Sequence, residues 1–120
     1  MQNRWTVVYY HNRRGEELAR NEIKAFGPEV YAKILTVIGL LKDYGLNIPS
    51  RFVKHVEDKI WEIKVDRYRV LYFAFRNRRF VVLRTFIKKT DKTPRREITI
   101  AWNRLQDYSE WSEETTDEEN

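Results

Sequence analysis

The residues best suited to chemistry in this sequence are basic, and they are concentrated in one third of the chain. Their side chains are interleaved with Tyr and Phe. Cations that meet phosphates, beside rings that stack on bases, are typical of surfaces that bind single-stranded nucleic acid. The competing interpretation is a solvated surface, because long basic side chains rarely become buried. The basic residues of this segment are Lys54, His55, Lys59, Lys64, Arg67, Arg69, Arg76, Arg78, Arg79, Arg84, Lys88, Lys89, Lys92, Arg95 and Arg96.

Phosphate binding favours particular members of this set. Arg69 and Arg84 lie on predicted strands and offer planar guanidinium forks that match phosphate oxygens. Lys88 and Lys89 follow a predicted strand and add two mobile charges to the same surface. The residues predicted to contact RNA are Lys54, Arg67, Arg84 and Lys92.

Cleavage of RNA by its own 2′-hydroxyl needs more than positive charge. One proton must be removed, charge on the phosphate must be stabilised, and another proton must reach the leaving oxygen. The basic cluster supplies the stabilisation. His55 and Glu62 are candidates for proton transfer, although His55 also fits a surface residue and Glu62 an ion-pair partner of Lys64. A lysine packed among arginines is a further candidate.

The composition excludes several classes of function. The sequence has no cysteine, which excludes disulfides, thiolate zinc sites and cysteine nucleophiles. Its two histidines, His11 and His55, are distant in sequence and form no recognisable metal-binding pattern. We therefore expect no metal and no cofactor. No apolar run approaches the ~20 residues of a membrane span, and the N-terminal residues lack a signal-peptide pattern. These features predict a soluble, cytoplasmic protein without a membrane partner.

The net charge of +5 conceals two opposite regions. Residues 1–106 carry all 23 Lys and Arg and 11 of the 18 Asp and Glu, which gives +12. Residues 107–120 carry the other seven acids and no Lys or Arg, which gives −7. A +12 body attracts polyanions. We predict one domain over residues 1–106, followed by an acidic, flexible tail over residues 107–120.

Hydrophobic periodicity predicts an α+β fold with the order β-α-α-β-β-β-α. Helices are expected on one face of a small, mainly antiparallel sheet. The strongest signal is the alternation in residues 60–65, which places Trp61, Ile63 and Val65 on a buried face and Glu62 with Lys64 on the less buried one. The predicted strands are residues 5–10, 60–65, 68–75 and 80–87. The predicted helices are residues 16–26, a longer one from Pro28 to a cap at Gly45, and a final one capped by Thr93.

Four segments of this sequence together resemble the pattern of one known family. They are Ile60-Trp61-Glu62-Ile63-Lys64-Val65, Tyr68-Arg69-Val70-Leu71-Tyr72-Phe73, Phe86-Ile87-Lys88-Lys89-Thr90-Asp91-Lys92-Thr93-Pro94, and Arg96-Glu97-Ile98 with Ala101. They resemble the phage-derived HigB-like toxins of the RelE/ParE superfamily, which belong to type II toxin–antitoxin systems. The resemblance covers roughly residues 5–106.

The resemblance implies a ribosome-dependent mRNA endoribonuclease that needs no metal and is silenced by a HigA-like antitoxin with a helix-turn-helix domain. It implies that Arg69 contacts the scissile phosphate, joined by Lys88 and Lys89. Lys64 stands where the family usually has arginine, which removes one bidentate fork. We expect Lys64 still to join the catalytic residues and Arg67 to replace the missing guanidinium in part.

Two other functions remain open from the sequence. The same fold also serves ParE-like poisons of DNA gyrase, and fold alone does not decide between them. The substitution at Lys64 and the acidic end also fit a non-catalytic relic that binds RNA or an antitoxin.

Overall fold

A five-stranded sheet forms the centre of the protein, for which the computed structural model describes the backbone of residues 4–119 and the side chains of residues 4–112. Its strand order is β1-β5-β4-β3-β2. β1 pairs in parallel with β5, and the other neighbours pair antiparallel. The strands are β1 (Thr6–Tyr9), β2 (Val53–Glu57), β3 (Ile60–Val65), β4 (Tyr68–Phe75) and β5 (Arg79–Ile87).

Three helices pack against this sheet. They are α1 (Leu18–Lys24), α2 (Pro28–Tyr44), which continues into a 3₁₀ turn (Gly45–Asn47), and α3 (Arg95–Glu119). Pro28 occupies the first turn of α2 and Gly45 caps its end, as predicted. The predicted α+β class is therefore confirmed.

The sheet is covered on both faces, whereas the sequence placed the helices on one. On one face Trp5 donates a backbone hydrogen bond to the Lys42 carbonyl of α2 and stacks on Phe80, with ring centroids 4.3 Å apart. Phe73 and Phe75 contact Tyr108 of α3. Tyr72 shares the face of Phe80, since their ring centroids are 5.5 Å apart. Because successive strand residues point to opposite faces, Phe73 lies on the other face, and α3 covers that one. The covered face of Phe73 also contains Glu62.

The strand β2 is an addition to the predicted order. Val53–Glu57 is the edge strand beside β3, and its Lys54 and His55 are exposed. A short edge strand with polar side chains lacks the apolar alternation that identifies a strand in sequence.

The burial of β3 also differs from the predicted alternation. Glu62 has no exposed surface, while 39% of Trp61 is exposed. The reason is the extra layer of α3 and the loop before it, which covers the face on which Glu62 lies.

The last helix continues beyond the predicted boundary at residue 106. Tyr108 and Ser112 are buried, and the Tyr10 hydroxyl donates to Asp107 Oδ2 at 2.6 Å. Residues 107–112 are thus a packed part of α3 rather than an extension after the domain. The acidic side chains from Glu113 onward lie outside the described residues.

Candidate active site

A basic pocket lies where β4 begins and β5 ends. The antiparallel register pairs Tyr68 with Ile87, and the Lys88 N–H donates to the Arg67 carbonyl at 2.8 Å. These contacts bring the turn before β4 beside the loop after β5. The pocket has a volume of about 370 Å³ and is lined by Arg67, Arg69, Lys88, Lys89, Thr90 and Asp91. Four cations and one carboxylate therefore surround one small cavity.

A buried carboxylate lies behind these cations. Glu62 Oε2 is 3.5 Å from Arg69 Nε and 3.8 Å from Lys88 Nζ. Thr93 Oγ1 donates to the other oxygen, Oε1, at 2.6 Å. The three side chains thus converge on Glu62 from β4, from the end of β5 and from the loop before α3. We call Glu62, Arg69, Lys88 and Thr93 the Glu62 cluster.

The guanidinium of Arg69 is fixed by its own backbone surroundings. Nη1 donates to the carbonyls of Asp66 and Tyr68, at 2.7 and 2.9 Å. Among the described residues, neither Arg69 Nε nor Glu62 Oε2 has a hydrogen-bond partner, although both atoms are buried. Charge is therefore held in place here without being fully matched, which suits a site that takes up an anion.

A second group of charged side chains surrounds Arg84 of β5, and its carboxylates and guanidinium groups are hydrogen-bonded to one another. Arg84 Nε donates to Glu97 at 2.6 Å and its Nη1 donates to Glu22 at 2.8 Å. Arg104 donates to both oxygens of Glu22, at 3.1 and 2.9 Å, and to the Leu83 carbonyl at 2.8 Å. We call Glu22, Arg84, Glu97 and Arg104 the Glu22 cluster.

Arg84 is predicted from the sequence to contact RNA, but its guanidinium is hydrogen-bonded to the carboxylates of the Glu22 cluster. Burial alone lowers the pKa of Arg84, but its hydrogen bond to Glu97 and the charges of Glu22 and Glu97 outweigh burial and raise that pKa. The fork of Arg84 is used within the protein, and Arg84 does not line the basic pocket.

The remaining predicted site residues lie at different distances from the pocket. In the strand register Lys64 lies opposite Arg69, and Lys54 lies opposite Glu62, so both lysines lie on the same face of the sheet as Glu62. Lys92 is exposed in the loop between the pocket and α3. His55 lies on the opposite face, where its ring contacts Trp61 at 5.1 Å and its Nε2 is 2.6 Å from the Asp58 carbonyl. Within the described residues, no three potential metal ligands come together.

The chain matches a known protein family over most of its length. Residues 21–106 match the model of the family described as phage derived protein Gp49-like. The chain belongs to the Gp49-like family. The matched segment includes the whole basic pocket and the Glu62 cluster, so the candidate site lies within the part that defines the family.

One solved structure shares its fold with this Gp49-like chain. It is the crystal structure of the toxin–antitoxin complex RelBE2 from Mycobacterium tuberculosis, with a TM-score of 0.54 and 20% sequence identity. The match covers 71% of this chain and 99% of the other. The fold is that of RelE toxins. A search of curated proteins found no match, and no helix in the described part of the chain is long and apolar enough to span a membrane.

Sequence reasoning missed two features of the Gp49-like site. The sequence predicts Thr93 as the cap of the last helix, but its hydroxyl donates to Glu62 and α3 begins at Arg95. The carboxylates that occupy Arg84 were also missed. Glu22 is 62 residues away from Arg84, and no local pattern connects them. The only indication in the sequence that Thr93 lies in a loop is its position in the polar pair Lys92-Thr93 before Pro94.

Proposed function

We propose that this protein is the toxin of a type II toxin–antitoxin system and that it cleaves mRNA on the ribosome. The observation that carries the proposal is the basic pocket, in which Arg67, Arg69, Lys88 and Lys89 surround a cavity above buried Glu62. The RelE fold and the Gp49-like family support the class of protein.

The geometry supports separate roles for the residues of the pocket. Arg69 and Lys88 stabilise the charge that develops on the scissile phosphate, and Lys89, which is exposed, contacts the same phosphate or its neighbour. The 2′-hydroxyl oxygen of the RNA attacks the phosphorus, the bond to the 5′-oxygen of the next nucleotide breaks, and a 2′,3′-cyclic phosphate forms. The hydroxyl proton passes to water, and the ammonium group of Lys89 gives a proton to the leaving 5′-oxygen. Preorganised donors of this kind contribute about 10²–10³-fold each to the rate.

Glu62 is a positioning residue in this scheme. It has no exposed surface, so an RNA phosphate reaches Arg69 and Lys88 rather than the carboxylate. Its charge fixes the positions of the two cations beside the pocket, and Thr93 holds the carboxylate. His55, on the opposite face of the sheet, has no part in the scheme.

The proposed partner is an antitoxin of the HigA-like, helix-turn-helix class. The structural neighbour is a toxin–antitoxin complex, which supports an antitoxin in general. A small helix-turn-helix protein encoded beside this chain, and able to neutralise it, would identify the partner.

Two variants test the catalytic proposal. Arg69→Ala, and separately Lys88→Ala with Lys89→Ala, are expected to lose growth inhibition and to reduce cleavage by about 10²-fold or more, because each removes charge stabilisation from the phosphate. Primer extension on mRNA from induced cells measures the cleavage, and circular dichroism verifies the fold. Arg14→Ala is the matched control, because its side chain is 82% exposed and distant in sequence.

The same experiment contains the results that contradict the proposal. Full toxicity of both variants would refute the site assignment. An SOS response without new 5′ ends in mRNA would identify a gyrase poison instead. Wild-type protein that neither arrests growth nor stops translation in a cell-free extract would indicate a non-catalytic relic.

A further inference from the structure

The turn between β4 and β5 carries a second group of arginines, far from the basic pocket. We call Arg76, Asn77, Arg78 and Arg79 the hairpin tip. Arg69 and Arg76 are seven residues apart along an extended segment, which corresponds to about 24 Å at 3.4 Å per residue. The hairpin tip and the basic pocket therefore lie at opposite ends of the same pair of strands.

The arginines of the hairpin tip differ from most others in the protein. Among the described residues, Arg76, Arg78 and Arg79 form no ion pair with a carboxylate. Arg76 and Arg78 are exposed. By contrast, ion pairs with Asp or Glu are formed by Arg4, Arg13, Arg14, Arg20, Arg69, Arg84, Arg95 and Arg104. The tip thus presents guanidinium charge that the protein leaves unmatched.

Backbone strain marks the same turn. Asn77 and Arg78 have φ angles of 62° and 53°, in the left-handed region. Asn tolerates this region, but a long side chain there is disfavoured and Gly is the usual solution. An arginine therefore occupies a position where folding alone would favour glycine. Strain of this kind points to a role outside stability.

Two of the guanidinium groups are held in place by aromatic side chains. The Arg76 and Arg79 guanidinium carbons lie 5.2 and 6.0 Å from the centre of the Phe75 ring. Arg79 Nη1 also donates to the Tyr108 hydroxyl of α3 at 3.0 Å. Groups that are ordered before binding lose less entropy when a ligand arrives.

We propose that the hairpin tip is a second anion-binding site, which takes the phosphate backbone of RNA and acts independently of the basic pocket. Planar guanidinium forks match phosphate oxygens, and a turn only two strands wide can reach phosphates on one edge of an RNA helix. The inference deepens the proposed function and rests on it for the identity of the RNA, which would be ribosomal RNA beside the bound message.

Binding to a duplex tests the proposal, because a duplex presents phosphates while its bases are paired. The full chain is titrated with a fluorescent 20-base-pair RNA duplex at several salt concentrations. Arg76→Gln with Arg78→Gln is expected to weaken binding at least tenfold at low salt. The slope of log K against log salt should fall by about 1.8, because two phosphate contacts are lost. Arg13→Gln with Arg14→Gln, in the turn that follows β1, is the matched control and should change neither quantity, since both arginines already pair with carboxylates.

A single substitution separates binding from folding. Arg78→Gly should weaken RNA binding while raising the thermal midpoint by roughly 2–5 °C, because glycine relieves the left-handed strain. If Arg78 had a purely structural role, Arg78→Gly would change the RNA affinity and the thermal midpoint in the same direction.

Several results would overturn the inference. They are unchanged duplex affinity in the double variant, an equal loss in the control, or tighter binding of an acidic poly-Glu peptide than of RNA. Arg69→Ala should retain the contribution of the hairpin tip to duplex binding. If the protein binds the duplex but does not cleave mRNA, that result would count against the proposed function but not against RNA binding by the hairpin tip.

Discussion

The Glu62 cluster and the Glu22 cluster are both built from carboxylates and basic side chains, but they differ in how the charges are paired. In the Glu22 cluster two arginines meet two carboxylates through hydrogen bonds of 2.6–3.1 Å. In the Glu62 cluster one carboxylate faces Arg69 and Lys88 at 3.5 and 3.8 Å, with no hydrogen bond between them. The Glu22 cluster balances its charges within the protein. The Glu62 cluster has two cations and one carboxylate, and we propose that its excess positive charge serves RNA phosphate.

The largest change in the free energy of unfolding should come from a substitution in the Glu22 cluster. Arg104→Met removes donors from Glu22 and from the Leu83 carbonyl, and the side chain of Arg104 is only 14% exposed. Unfolding in urea should show a loss of about 3 kcal/mol, with the proposed mRNA cleavage by the remaining folded protein unchanged.

Arg95→Met is the control for Arg104→Met. Arg95 also lies on α3, but its ion pair with Glu57 is exposed, so its loss should have little effect on stability. Equal destabilisation by both variants would contradict the view that the Glu22 cluster is the structural one.

A smaller effect is expected from removing charge in the Glu62 cluster. Glu62→Gln gives up the attraction to Arg69 and Lys88 but also removes a carboxylate with no exposed surface. These terms oppose each other, so the stability should change by about 1 kcal/mol or less. The turnover rate for RNA should fall about tenfold while KM changes little, because the cations lose their orientation.

Rescue by a conservative variant distinguishes positioning from packing. Glu62→Asp keeps the charge and should retain more activity than Glu62→Gln. A loss of stability in Glu62→Gln as large as that of Arg104→Met would remove the distinction between the clusters.

The smallest expected effect concerns pH, at the point where α3 meets β1. Burial and the hydrogen bond with Asp107 raise the pKa of Tyr10 to about 12. The folded pKa lies above the ordinary value of 10, so this contribution to stability is complete below pH 10 and is lost between pH 10 and 12. Thermal midpoints over this range should show a shrinking advantage of wild type over Tyr10→Phe. An advantage that stays constant would contradict the shift.

The sequence predicts some parts of these two regions and not others, for physical reasons. Arg69, Lys88 and Lys89 meet because adjacent antiparallel strands bring their own ends together, and that pairing follows from local pattern. The burial of Glu62 depends on α3 and the loop before it, which begin about 30 residues later in the chain. The pairing of Arg84 with Glu22 depends on how α1 docks on β5. The charge of a residue is visible in sequence, but its partner is fixed by tertiary packing.

The parallel pairing of β1 with β5 links the two ends of the polypeptide. Thr6 lies opposite Arg79, and Tyr10 is joined to Asp107 across 97 residues. The first strand to leave the ribosome therefore has no neighbour until the last strand follows. Closing such long loops is entropically costly and slow. A chain that stops before β5 is complete would leave both β1 and β4 with bare edges, so the finished molecule depends on synthesis being carried through to the far end.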